Sequence, residues 1–109
     1  MTKGKHLGEL EQLVLLAILQ LENDAYGLNV MKEMQHRAGR NVSRGALYAL
    51  FDRLEGKRLV VSRYGDPNPG RGGKPRRYLT VTPEGIVALR GARMAWRALS
   101  EGLGEILEG

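Results

Sequence analysis

Cysteine is absent from this chain of 109 residues. That excludes a disulfide framework and thiolate metal sites, and it fits a reducing, cytoplasmic setting. Histidine occurs only as His6 and His36, too isolated for a metal site or for a base paired with a nucleophile. No paired-carboxylate arrangement stands out either, so neither an enzyme, a metal nor a cofactor is expected. Long apolar runs are missing. The one short run, Leu13 to Leu19, falls far below the roughly 20 residues needed to cross a bilayer. No small-residue cleavage pattern follows it, so neither a membrane partner nor an export signal is expected. Gly72-Gly73-Lys74 invites comparison with a phosphate loop, but Asn68 stands where that motif needs Gly, and Pro75 replaces its magnesium-binding hydroxyl residue. The length allows one domain with a modest core, to which a second copy could add burial.

Acidic residues are scarce in one region only. From Lys32 to Arg77 there are twelve Lys and Arg against four acids, a local charge of +8 in a chain whose net charge is +5. The remainder is therefore slightly acidic. A solvated charged face is the ordinary reading of a basic run. Here the run coincides with a helix bare of long side chains and with a Gly/Pro-rich loop, and that combination favours a polyanion.

Four helices and one hairpin account for the pattern. Leu7 to Leu21 is apolar nearly all round, with Leu10, Val14, Ala17 and Leu21 on one stripe, and should be the most buried helix. Asp24 can cap a second helix from about Ala25 to Arg37, ended by Gly39. After a brief turn Ser43 caps a third, so the second and third helices join as in a helix-turn-helix. Leu59 to Tyr64 and Arg76 to Val81 have strand composition, and Gly65 to Pro75 between them should be an exposed loop. Thr82-Pro83-Glu84 then starts a fourth helix, with an N-cap oxygen, a proline at the first helical position and an acid near the positive dipole end. The expected fold is mainly α with a small β-hairpin wing, residues 1–82 forming a winged helix-turn-helix and residues 83–109 a C-terminal dimerisation helix.

The third helix is unusual on its outer side. Leu47, Leu50, Phe51 and Leu54 recur at helical spacing and must face the core. At about 100° per residue, the opposite face is Gly45, Ala49, Asp52 and Gly56, flanked by Ala46, Tyr48 and Arg53. Small residues let the backbone approach a large partner, and a DNA major groove admits one helix. Ser43 is read first as an N-cap and second as a phosphate contact. Tyr48 has the stronger claim to function, its ring resting partly on the hairpin and its hydroxyl reaching a phosphate. On the wing, Arg71, Lys74, Arg76 and Arg77 suit phosphates or a narrow minor groove, although the two strand arginines alternate faces and at most one points to DNA.

Tyr26-Gly27, Val42-Ser43 with Gly45 and Leu47-Tyr48, Arg53-Leu54-Glu55, Leu59-Val60, Pro75-Arg76-Arg77-Tyr78 and Thr82-Pro83-Glu84-Gly85 together resemble the PadR-like transcriptional regulators. The resemblance runs from about Leu7 to Leu103, and the length is similar to the short branch, in which a single C-terminal helix makes the dimer. It implies a winged-helix homodimer on double-stranded operator DNA, usually a repressor and often released by an effector. The chain departs from the family where DNA is read. Pro, Thr and Pro are common where Arg44, Ala46 and Ala49 stand, so a hydroxyl donor is lost and a guanidinium gained. Arg44 takes a first-turn position from which recognition helices contact base edges.

Leu89, Ala92, Trp96, Leu99, Leu103 and Ile106 are spaced as a heptad seam, which as one helix would run about 26 Å. One domain cannot easily cover it, and a dimer interface follows. Trp96, the only tryptophan, would then lie near the two-fold axis. It is read as interface packing or, alternatively, as one wall of a slot for a planar aromatic effector. A reading from another class also stays open: a winged-helix interaction module whose basic face binds an acidic protein or an RNA.

Overall fold

Helix α1 (Glu9–Leu21) starts the described chain's regular structure, and the computed structural model describes residues 6–65, 72 and 74–108. Glu11 reaches back to the helix start and accepts the Gly8 amide at 2.9 Å. Val14, Leu15, Ala17 and Ile18 are buried, whereas Leu16 and Leu19 on the other side are exposed. The helix is thus apolar on a side that the domain does not cover.

The second helix begins later than its sequence suggests. Asp24 lies in a short 3-10 turn (Glu22–Asp24), and α2 runs Gly27–Ala38 with Tyr26 as an N-cap that offers no side-chain acceptor. Asp24 therefore does not cap it. The cause is a competing use of the backbone: Leu79 donates to the Ala25 carbonyl at 2.8 Å, and Tyr26 forms a β-bridge with Tyr78. Two residues that could have begun a helix are held against the hairpin instead. Gly39, at φ +65°, closes α2 in the left-handed region that suits glycine.

Helix α3 (Arg44–Gly56) carries the Ser43 cap, whose Oγ accepts the Ala46 amide at 3.2 Å. Leu47, Leu50, Phe51 and Leu54 are all buried and form the centre of the core with Val14, Leu15, Val30 and Met34. The left-handed position beyond its end is not a glycine. Arg58 adopts φ +63° while its amide meets the Glu55 carbonyl and the Leu59 amide meets the Leu54 carbonyl, both at 2.9 Å. That is the Schellman bonding pattern, and the buried pair Leu54 and Leu59 supplies its apolar contact.

Strands β1 (Val60–Tyr64) and β2 (Arg77–Val81) pair antiparallel from Val60↔Val81 to Tyr64↔Arg77. Val60 and Leu79 face the core. Most of the predicted loop between them lies outside the described residues. Thr82 then caps helix α4 (Pro83–Ser100), its Oγ1 accepting the Gly85 amide at 3.0 Å and donating to the Arg58 carbonyl at 2.8 Å. Gly85 is required by close packing: a Cβ there would stand 2.4 Å from the Leu59 carbonyl oxygen and 2.6 Å from Val81 Cγ1.

The continuous C-terminal helix expected from the heptad spacing is not formed. Helix α4 stops at Ser100, Gly102 turns the chain at φ +82°, and a short α5 (Gly104–Glu108) follows. Two glycines within three residues outweigh the apolar spacing, because each costs about 1 kcal/mol in a helix interior. Within α4 only Gly85 is buried, and Ala88, Leu89 and Ala92 are half-buried. Further along the same stripe Trp96 and Leu99 are 65% and 84% exposed. The helix therefore leaves the domain as it runs. The Cα radius of gyration, 15.7 Å, exceeds the roughly 13 Å of a compact domain of this size.

Candidate nucleic-acid interface

The outer side of α3 is as bare in space as in sequence. Gly45, Ala46, Ala49 and Gly56 are exposed, and a Cβ added at Gly45 or Gly56 would meet nothing within 4 Å. Arg44 stands exposed in the first turn and Arg53 in the last. With Ser43 spending its oxygen on the cap, the helix start presents backbone and a guanidinium to an approaching surface.

Tyr48 sits where α3 meets the start of α2. Its ring lies edge-on to Phe51 at 5.6 Å, and its hydroxyl sits over the start of α2, where a Cβ at Gly27 would come within 2.7 Å of Oη. Gly27 makes room for Tyr48, which remains 37% exposed. The pairing of Tyr26-Gly27 with Leu47-Tyr48 in the sequence thus has a steric cause.

The wing's basic residues part company. Lys74 is exposed, Arg71 lies outside the described residues, and Arg76 and Arg77 take different partners. Arg76 lies 4.2 Å over the Tyr26 ring, Tyr26 meets Tyr78 edge-on at 5.5 Å, and Arg63 lies 4.3 Å over the Tyr78 ring. Arg63 also donates to the Asn23 carbonyl at 3.0 Å. This ladder of two guanidinium groups and two rings ties the start of α2 to both strands. The Arg63↔Tyr78 register that builds it exists only once the hairpin is formed.

Arg77 points the other way, into α3. It bonds Asp52 Oδ1 at 2.9 Å through Nη1, Glu55 Oε1 at 2.6 Å through Nη2 and Ser62 Oγ at 2.9 Å through Nε. Ser62 donates to the same Glu55 oxygen at 2.7 Å. These bonds from Ser62 and Arg77 hold the Glu55 carboxyl below its ordinary range. Burial alone would lower the Arg77 pKa, yet Glu55 and Asp52 outweigh it and the net direction is upward.

A second ion pair escaped sequence reasoning because its acid lies among apolar residues of α1. Lys57 Nζ bonds Glu11 Oε2 at 2.9 Å and the His6 carbonyl at 3.0 Å. Burial pushes the Glu11 carboxyl up, but Lys57 and the Gly8 amide more than reverse this, and its pKa is lowered. The pair fastens the end of α3 to the start of α1.

Of the C-terminal residues expected at an interface, Leu89 packs against the core and Ala92 is half-buried, while Trp96, Leu99, Leu103 and Ile106 are exposed. Leu103 precedes α5 and Ile106 lies within it, so neither continues the seam of α4. Among the described residues no helix is long and apolar enough to cross a membrane.

Comparison with known proteins gives one answer. The profile of the transcriptional regulator PadR-like family matches residues 15–91. An uncharacterized protein of Lysinibacillus sphaericus is 33% identical over 104 residues, covering 94% of this chain and 91% of its own. A PadR family transcriptional regulator from Eggerthella lenta is 36% identical, with TM-score 0.68 over 92% of this chain and 87% of that one. Another from Clostridium difficile is 25% identical, with TM-score 0.72 over 92% of this chain and 99% of that one. The matched stretch includes the helix-turn-helix, the hairpin and the first half of α4, so this chain belongs to the PadR-like family of DNA-binding transcriptional regulators and is not an enzyme.

Proposed function

We propose that the chain works as a homodimeric repressor on a palindromic operator, with α3 in the major groove and the wing alongside. The observation that carries this reading is the exposed small-residue face of α3, with Arg44 at one end and Arg53 at the other. In the proposed contact set Arg44 touches a base edge, and Gly45, Ala46 and Ala49 admit the backbone to the groove. Ser43, Tyr48, Arg53, Arg71 and Lys74 face phosphates or sugar. Arg76, already stacked on Tyr26, offers phosphate only its free edge.

The bare part of the α4 stripe supports the homodimer. Trp96 and Leu99, with Leu103 and Ile106 beyond the break, are closed off by a second copy, and Leu16 and Leu19 of α1 add apolar surface for it. Such a dimer presents two copies of α3 to two half-sites. In one chain Trp96 lies on an open helix flank, so a slot for a planar aromatic effector takes its second wall from the partner. Arg93 and Arg97, both exposed beside it, favour an anionic ligand.

Selection of bound sequences from a random duplex pool tests the operator. The expected outcome is a two-fold symmetric site, with steeply salt-dependent affinity for any duplex. A protein that ignores duplex DNA at low salt but captures RNA or an acidic protein would reverse the reading. Titrating planar aromatics against Trp96 fluorescence tests the effector. Saturable quenching with release of DNA supports it, and quenching without release assigns Trp96 to packing.

A further inference from the structure

The recognition face has one electrostatic flaw for its task. Asp52 and Glu55 both lie on α3, and Asp52 is 72% exposed on the side that would meet the phosphates. Carboxylates so close to DNA repel it, since a charge within about a Debye length of roughly 8 Å is poorly screened. Arg77 sits against both, and its own side chain is only 16% exposed. Each of its three guanidinium nitrogens is bonded, two to these acids and one to Ser62 of β1. A planar guanidinium shared between two carboxylates and a hydroxyl fixes geometry as well as charge.

We propose that Arg77 is a positioning residue for DNA binding: it offsets one of the two negative charges that Asp52 and Glu55 place on the recognition helix and clamps β2 to α3, so that wing and helix meet the duplex as one unit. It does not touch the DNA. The inference rests on the reading that α3 enters the groove, and it divides the wing's arginines by task. Arg71 and Lys74 face phosphate, whereas Arg77 acts through two acids.

A thermodynamic cycle tests it. The wild type, Arg77→Gln, the double variant Asp52→Asn with Glu55→Gln, and the triple variant are titrated against one duplex by fluorescence anisotropy, with far-UV circular dichroism on each. Both acids are substantially solvent-exposed, so Arg77→Gln leaves no buried unpaired charge. In the wild-type background Arg77→Gln should weaken binding about tenfold, within the range for charged neighbours that act as a unit. In the background lacking the acids the same change should cost less than about twofold. Arg77→Lys, which keeps the charge but loses the fork, should fall between. Equal losses in both backgrounds would assign Arg77 a direct DNA contact and overturn the proposal. A wild-type protein that binds no duplex would instead overturn the DNA reading itself, and the inference with it.

Discussion

Two glycines show how differently single atoms can matter. At Gly85 an added methyl meets a carbonyl and a core valine, neither of which can retreat, so Gly85→Ala should cost about 3 kcal/mol of stability. At Gly27 the obstacle is the hydroxyl end of Tyr48. Gly27→Ala should cost less than about 1 kcal/mol by denaturant unfolding, while moving Tyr48 and weakening duplex binding. Lys57 is the ionic counterpart. Lys57→Met strands Glu11, whose side chain is 6% exposed, and should cost about 3 kcal/mol near neutral pH. With Lys57 present the Glu11 carboxyl lies below its ordinary range, as does that of Glu55. Their stabilisation is therefore full above about pH 4.3 and is lost as pH falls through the lowered values. Without Lys57 the Glu11 carboxyl loses its strongest lowering partner and protonates at higher pH than in the wild type, so the variant's deficit should shrink on acidification. Thermal unfolding between pH 7 and 3 checks both signs. None of these partners was legible in the sequence: Glu11 and Lys57 are 46 positions apart, and only the finished packing brings them together.

Elements were more legible than contacts, and the failures share a cause. The caps at Ser43 and Thr82 and the core stripe of α3 follow from local chemistry and formed as expected. Asp24 and the C-terminal helix did not, because in each case an apparent local signal was overridden. Tertiary hydrogen bonds to the hairpin claimed Ala25 and Tyr26, and Gly102 interrupted a seam whose apolar spacing was otherwise regular. The end of α3 is a third case: sequence places no glycine at the turn, and Arg58 adopts the left-handed conformation in its stead. Arg58→Gly should therefore stabilise the protein by about 1 kcal/mol, since the turn is kept and the side-chain strain removed. A fall in denaturation midpoint would show that the Arg58 side chain contributes more than its backbone costs.

At the scale of the molecule, the charge distribution and the order of elements were both legible, and the short motifs strung along that order carried the family. The division of the basic residues was not, because a run of arginines does not say which of them faces an acid. The predicted pairing of two copies puts Leu99 at the interface, where it is 84% exposed in one chain. Leu99→Arg should shift sedimentation towards the single chain and leave its circular dichroism intact. A dimer that persisted would move the interface elsewhere. The way α4 leaves the domain, its stripe covered at the start and bare at the end, also bears on control. Under the proposed pairing, while most copies are single, occupancy of an operator that takes two rises with the square of total protein. Doubling synthesis would then raise weak occupancy about fourfold, so the exposed end of one helix sharpens a gene's response to how much regulator the cell makes.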